Sequence, residues 1–425
     1  MMEKKFYPRV GETLYTGTTP SGLKIAVLPR PSFTKKLCYL VADYGAIHRD
    51  FQMDGTDYRA PAGVAHYLEH KLFEMPGRDI TEDFAALGAT PNAFTSYDMT
   101  AYYFSCTENF PENLRLLLDF VTTPYFTDES VAKEQGIIGQ EIDMNLDSPE
   151  SRLFDLLMDA MYKQHPISVP ILGTRASIAE ITPQVLTDCH KAFYRPDNMF
   201  LCVIGDVDPE QVAQMAEARF REVPQPAVST KREWDEPMTT GQKEVRLQME
   251  VAMPMFQLGF KAEPLPNGPA GVYGEIVGDL AAEVLFGESS RLYMQLYEDG
   301  LIDTSFIGGF ETVEGMAMLT ATGDSEDPAA VRDAILREAR QLLAEGIPEE
   351  DLLRIKRSAL GRRIRSLDSF DSTCFRLCAY HFSKFDYFDI PEIYEQVTAA
   401  DVKKFLQTVV TEDRMCLAVI QPKEA

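Results

Sequence analysis

Residues 223–243, VPQPAVSTKREWDEPMTTGQK, interrupt the chain near its middle with three prolines, many polar residues and no apolar periodicity. Such a stretch cannot contribute a regular element to a core and reads as a linker. The chain has 425 residues, more than one ordinary core accommodates. Two domains are therefore expected: residues 1–223, a linker over 224–243, and residues 244–425.

The segments on either side tell similar stories. In the first half, GLKIAVLPR and KKLCYLVADYGA read as strands. A helix is expected from about Ala62 to Glu74, ended by Pro76-Gly77, and a short one over residues 81–88. Residues 93–107, rich in Phe, Tyr and Thr, read as one strand. FPENLRLLLDFV is apolar at helical spacing, and a longer helix starts near Thr127-Asp128 and runs through Glu141. Residues 151–163 read as helix, Thr182-Pro183 opens another, and the strand MFLCVIGDV and the helix DPEQVAQMAEARF close the half. In the second half, strands precede helices over 269–286 and 349–365, and MCLAVIQP echoes LCVIGDV. The expected fold class is α+β: two homologous domains, each a largely antiparallel sheet with helices packed mainly on one face.

One motif carries chemistry. His66, Glu69 and His70 form H-x-x-E-H within a predicted helix. Histidines four apart face the same way and can hold one divalent ion, while Glu69 neighbours both in angle and can reach a water beside the metal. The pattern is the helical H-E-x-x-H arrangement in reverse. A catalytic zinc also needs a third protein ligand and an open position. The helix EQGIIGQEIDM offers Glu134 and Glu141 on one face. Glu141 is the better ligand candidate and Glu134 the residue that orients a ligand or water, although spacing alone does not single out Glu141. Sliding the halves by 213 residues places His66, Glu69 and His70 on Asp279, Ala282 and Glu283. Sliding by 222 places Glu141 on Arg363. The second domain is expected to keep the fold without the metal site. His48, His165, His190 and His381 read as structural.

Composition narrows the partners. Hydrophobic residues at 45% and charged residues at 25% suit a globular chain, and the net charge of −25 disfavours nucleic acid and anionic membranes. No apolar run is long enough to span a bilayer, and the N-terminal residues lack the apolar core of a secretory signal. The seven cysteines, several in apolar strand-like runs, suggest reduced core residues and a cytoplasmic protein. Cys374 and Cys378 are four apart, but no second pair completes a site with them.

These residues resemble the pitrilysin/insulinase family of zinc metallopeptidases, in GVAHYLEHKLF around the motif, NAFTSYDMTAYYF over 92–104, the helix bearing Glu134 and Glu141, and GESSRLYMQLYEDGL over 287–301. The resemblance implies one Zn2+ per chain held by His66, His70 and Glu141, with Glu69 as general base on water and Glu134 as its auxiliary. It implies that Asn92, Ala93, Phe94 and Thr95 form an exposed edge that pairs with an extended peptide. The chain is most similar to short two-domain bacterial members that work as paired subunits, some of them linked to modification of translation elongation factor P. Active members also carry an Arg and a Tyr in the second half. Here Tyr297 stands where the Arg is expected and Asp303 near the place of the Tyr, and Arg291 does not fit the role. A paralogous partner supplying that pair is therefore expected, in a heterodimeric endopeptidase. The alternatives are a non-catalytic scaffold or processing subunit and a module that binds peptides without cutting them.

Overall fold

Strands whose residues are apolar at every position need cover on both faces, and this chain supplies it in two separate units. The computed structural model describes residues 2–423; Met1, Glu424 and Ala425, at the outer ends of the two expected domains, lie outside them. The first compact unit comprises Met1–Ile142, Pro170–Lys231 and Arg365–Asp389, and the second Asp143–Val169, Arg232–Ile364 and Ile390–Ala425.

The sheet of the first unit has seven strands: β1 (Glu3–Tyr7), β2 (Glu12–Thr18), β3 (Lys24–Pro29), β4 (Lys36–Ala42), β5 (Ala89–Thr95), β6 (Thr100–Cys106) and β7 (Met199–Gly205). They lie in the order β1-β2-β3-β7-β4-β6-β5. Only β3 and β7 run parallel; every other neighbouring pair is antiparallel. The sheet of the second unit has five strands: β8 (Glu244–Met249), β9 (Met255–Ala262), β10 (Ile307–Val313), β11 (Met316–Asp324) and β12 (Met415–Pro422). Their order is β8-β12-β9-β11-β10, with β8 and β12 the parallel pair. This repeats β3-β7-β4-β6-β5 strand for strand and sense for sense. The fold is thus α+β, built from two homologous units with largely antiparallel sheets.

The helices repeat as well. Thr182 and Thr398 cap the helices Pro183–Phe193 and Ala399–Val409 with the same backbone angles, φ −113° and ψ 164°, each accepting a backbone N–H with its hydroxyl. Ser148 and Ser369 do the same for Pro149–Met161 and Phe370–Phe382. Those last two helices are exchanged between the halves of the chain. Pro149–Met161 packs on β9 and β12 of the second unit, and Phe370–Phe382 on β4 and β7 of the first. Most helices of the first unit cover one sheet face, and the incoming helix covers the other. All seven residues of β7 are accordingly buried. A division into 1–223 and 244–425 does not contain this exchange, because a helix crossing over leaves no mark in local sequence.

The helices expected over 269–286 and 349–365 appear as Pro269–Phe286 and Glu349–Arg365. The single strand expected over 93–107 is instead the hairpin β5–β6. Ser96 makes the turn: its backbone N–H donates to Met99 O at 2.8 Å, and its hydroxyl accepts from Met99 N–H at 3.1 Å. Side-chain bonds replace the Gly or Pro that would have announced a turn. The correction matters because it leaves β5 on the edge of the sheet. No helix is long and apolar enough to cross a membrane among the described residues.

Candidate metal centre

The motif helix, Val64–Leu72, starts at Gly63, whose φ of +90° suits glycine and whose Cβ, if present, would lie 2.4 Å from Leu172 O. Eight of the helix's nine residues, all but His70, are buried, Glu69 and His66 among them, so the helix sits inside the unit rather than on it. Tyr67 is fully buried, and its hydroxyl donates to Val131 O on the helix Asp128–Asp147. That bond fixes the two helices that carry the metal candidates. The second helix is itself closed at its start by reciprocal bonds between Thr127 and Ser130.

The structure brings His66, His70 and Glu141 together, with one donor atom from each within 4.8 Å of the others. Glu141 Oε1 lies 3.5 Å from His66 Nε2, and Oε2 lies 3.6 Å from His70 Nε2. Both separations exceed ordinary charge-assisted hydrogen bonds. They match the edge of a tetrahedron around zinc, about 3.4 Å for ligand bonds of about 2.1 Å. The nitrogen that each histidine turns toward Glu141 is Nε2, a neutral imidazole donor suited to zinc, and a carboxylate completes a His/His/Glu set. The donor set therefore fits a zinc ion.

His70 Nδ1 bonds Glu134 Oε1 at 2.9 Å, the contact that fixes the tautomer and orientation of a ligating imidazole. Burial lowers the His70 pKa, but the Glu134 bond and the charges of Glu69, Glu134 and Glu141 outweigh it and leave it raised. The pull of His66, joined by that of His70, holds the Glu141 carboxyl below its ordinary value against the effect of burial. Three carboxylates around two imidazoles make a place suited to a cation.

Glu69 is buried on the same helix and accepts a hydrogen bond from Thr95 Oγ1 at 2.6 Å. Thr95 ends β5, so the edge strand and the carboxylate meet directly. Asn92, Ala93 and Phe94 lie in that strand too, and among the described residues β5 pairs only with β6. Pro91 has no N–H to offer a second neighbour and suits an edge. The Ala93 N–H is covered by the strand's own Asn92 Oδ1 at 2.8 Å. The side chain of Phe94 leaves the face on which Thr95 meets Glu69, so the two residues do different work. Sequence reasoning placed Thr95 with the peptide and missed its bond to Glu69, a contact between residues 26 apart. It missed Tyr67 as well, although a tyrosine inside a buried motif has to find a partner for its hydroxyl.

The equivalent place in the second unit carries opposite charges. Arg363 Nη2 lies 2.7 Å from Asp279 Oδ2 and 3.2 Å from Glu275 Oε1, and Arg362 pairs with Glu283. Arg363 thus lies between two acids one turn apart, Glu275 and Asp279, much as Glu141 lies between His66 and His70. Tyr297 is 52% exposed, and Asp303 is exposed, with Ser305 bonds lowering its pKa. The remaining histidines are engaged in packing: His190 Nε2 meets Val121 O at 2.9 Å, His165 Nε2 meets Glu314 O at 2.8 Å, His48 Nδ1 accepts from Gly45 N–H at 3.0 Å, and His381 stacks on Phe200 at 3.9 Å. All seven cysteines are buried and free.

Comparison with known proteins shows the family of the chain. The family profile described as Insulinase (Peptidase family M16) matches residues 55–175, and that described as Peptidase M16 inactive domain matches residues 180–359. The chain is 36% identical to the uncharacterized zinc protease YmfH of Bacillus subtilis over 98% of both chains. It is 27% identical to a second zinc protease of that organism, YmxG, over 87% of this chain and 91% of the relative. Among solved structures, an M16-like peptidase from Alicyclobacillus acidocaldarius superposes with a TM-score of 0.92 at 30% identity over 99% of both chains. Pitrilysin shares the fold, with a TM-score of 0.78 at 17% identity, covering all of this chain and 47% of its own.

Proposed function

The chain belongs to the M16 (insulinase) family of peptidases, and from that premise we propose that it is a zinc-dependent endopeptidase acting on peptides or small unfolded proteins. The observation that carries the proposal is the gathering of His66, His70 and Glu141, one donor atom from each within 4.8 Å of the others, with Glu69 on the same helix and tied to an edge strand. His66, His70 and Glu141 would hold one zinc per chain. Bound there, zinc would supply a Lewis acid for the scissile carbonyl and a lowered pKa for water.

The chain's own residues do the rest. Glu134 keeps the His70 ring turned so that Nε2 faces Glu141. Glu69 takes a proton from the attacking water and delivers it to the leaving amine. Thr95 holds Glu69 in place. The free edge of β5, around Asn92, Ala93, Phe94 and Thr95, receives the substrate as an added strand, where backbone pairing gives affinity with little demand on sequence.

The Arg and Tyr that active relatives of this family carry in the second half are here Tyr297 and Asp303. We infer that a paralogous chain supplies them and that the working enzyme is a heterodimer. Two relatives of similar length in one bacterium support this reading. So does pitrilysin, in which this fold accounts for about half of one long chain.

The test measures zinc content and cleavage of a mixed peptide library for the wild type and Glu69→Gln, each alone and with a paralogous subunit. The expected result is about one zinc in both proteins, with cleavage reduced about a thousandfold or more in the variant. Zinc without cleavage under any condition would favour the module that binds peptides without cutting them. Absence of zinc would favour the scaffold. Full cleavage by the lone chain would remove the need for a partner.

A further inference from the structure

Three of the seven free cysteines meet at one place in the first unit, apart from the metal candidates. Cys202 lies in β7, two residues after Phe200 and so on the same face of the strand. His381 of the helix Phe370–Phe382 stacks on Phe200 with ring centroids 3.9 Å apart. Cys374 stands two helical turns before His381 and Cys378 one turn after Cys374, so all three follow the side of the helix that is laid along β7. The Cys374 thiol donates to Cys202 Sγ at 3.6 Å. The Cys378 thiol bonds Cys202 as well. All three residues are buried. Cys38 lies in the neighbouring strand β4, but it pairs with Val203 and its side chain takes the opposite face of the sheet.

Small apolar side chains could fill this space equally well. What thiols add is the capacity to be joined. Sulfurs 3.6 Å apart need to approach by about 1.5 Å to reach a disulfide bond of about 2.05 Å. Two S–H donors aimed at one sulfur favour its thiolate. The Cys374 and Cys378 thiols hold the Cys202 pKa below its ordinary value against the effect of burial, while burial pushes their own up. The thiolate is the reactive form. A single helix covers the three sulfurs, and its outer residues Asp371 and Phe375 face solvent, Phe375 at 43% exposure. Hydrogen peroxide, little larger than water, passes such a cover when the helix opens locally.

We propose that Cys202 and Cys374 form an oxidation site, which a hydroperoxide closes into a disulfide that fastens the exchanged helix to β7, with Cys378 as the alternative partner. The Cys202 thiolate attacks one peroxide oxygen and the O–O bond breaks. Cys202 becomes a sulfenic acid, and the hydroxide released leaves as water with the proton that Cys202 had lost. The Cys374 sulfur then attacks the sulfenic sulfur, and its own proton goes with the departing hydroxyl as a second water. Two thiols and one hydrogen peroxide thus yield one disulfide and two waters. The bond joins residues 172 apart, one from each half of the chain, and closing so long a loop in the unfolded chain stabilises the fold. The inference depends neither on zinc nor on peptide cleavage.

The full chain is treated with a small excess of hydrogen peroxide, unfolded in an alkylating agent and mapped by mass spectrometry of its peptides. Oxidation of Met144, which is 71% exposed, serves as the control for peroxide action. The wild type should yield a Cys202–Cys374 linked peptide two hydrogen atoms lighter than the separate pair. Its Tm should rise by about 5 °C, and dithiothreitol should reverse the rise. Cys374→Ala should yield a Cys202–Cys378 link instead, and Cys202→Ala should leave Cys374 and Cys378 reduced, with thermal melts before oxidation to show that each variant is folded. The wild-type map decides the matter even where a variant does not fold. All three cysteines still reduced once Met144 is oxidised, or a first disulfide formed elsewhere in the chain, would overturn the proposal.

Discussion

Thr95 Oγ1 donates to Glu69 Oε2 at 2.6 Å, and the bond joins the edge strand of the first unit to the middle of the motif helix. A carboxylate with several rotamers is thereby held in one. The edge that would take the peptide and the group that would activate water are set by one contact.

Thr95→Val should therefore uncouple them. A hydrogen bond to a charged group contributes on the order of 1.5 to 3 kcal/mol, so kcat should fall at least about tenfold with zinc content unchanged. Thr95→Ser should restore most of the rate. Equal losses in the Val and Ser variants would show that the hydroxyl does not matter.

Glu134 touches His70 Nδ1 and not the grouped donor atoms. Its removal should weaken the metal without abolishing the site. Glu134→Ala is expected to lower zinc affinity about 10- to 100-fold, measured by competition with a chelator, and added zinc should recover part of the activity. Glu141→Ala should instead lose zinc at all practical concentrations.

Arg363 neutralises Asp279 and Glu275 in the second unit while only 11% exposed itself. Arg363→Met leaves two partly exposed carboxylates facing each other without their cation. Solvent screening moderates the cost, and about 1 to 2 kcal/mol is expected. That corresponds to a fall of several degrees in Tm, with zinc content and first-unit chemistry intact. A loss of zinc in this variant would contradict the assignment of the metal to the first unit.

His190 is buried, and burial pushes its pKa down to about 4 from an ordinary 6.5. The unfolded chain binds this proton more readily than the folded one, so the contribution to stability is fully present above about pH 6.5 and is lost as pH falls through about 4. The full difference is about 3 kcal/mol. Melts between pH 7 and 4 should show this loss, and His190→Gln should flatten it. An unchanged slope in the variant would assign the acid sensitivity to other groups.

Features set by local spacing were legible from the chain alone. His66 and His70 are one helical turn apart, and this suffices to place them on one face. Pro269–Phe286 and Glu349–Arg365 follow from periodicity and breakers. Sliding the halves sets Asp279, Glu283 and Arg363 against His66, His70 and Glu141; Arg363 does meet Asp279, but its second acid is Glu275, while Glu283 pairs with Arg362. What remained hidden was tertiary or was carried by unusual turn chemistry. Ser96-Tyr97-Asp98-Met99 turns the chain without Gly or Pro, so β5 and β6 looked like one strand. The Thr95–Glu69 bond and the place of Phe375 depend on how distant segments meet.

The exchange of Pro149–Met161 and Phe370–Phe382 gives the chain a clasp. Each half has handed the other a helix that its own sheet does not use. A protease that nicks the chain between residues 223 and 243 would cut the covalent thread without parting the fragments, because each would still hold an arm of the other. By the same logic, neither half expressed alone has a complete set of parts. Its sheet would keep a bare apolar face, and its orphaned helix would have nothing to cover.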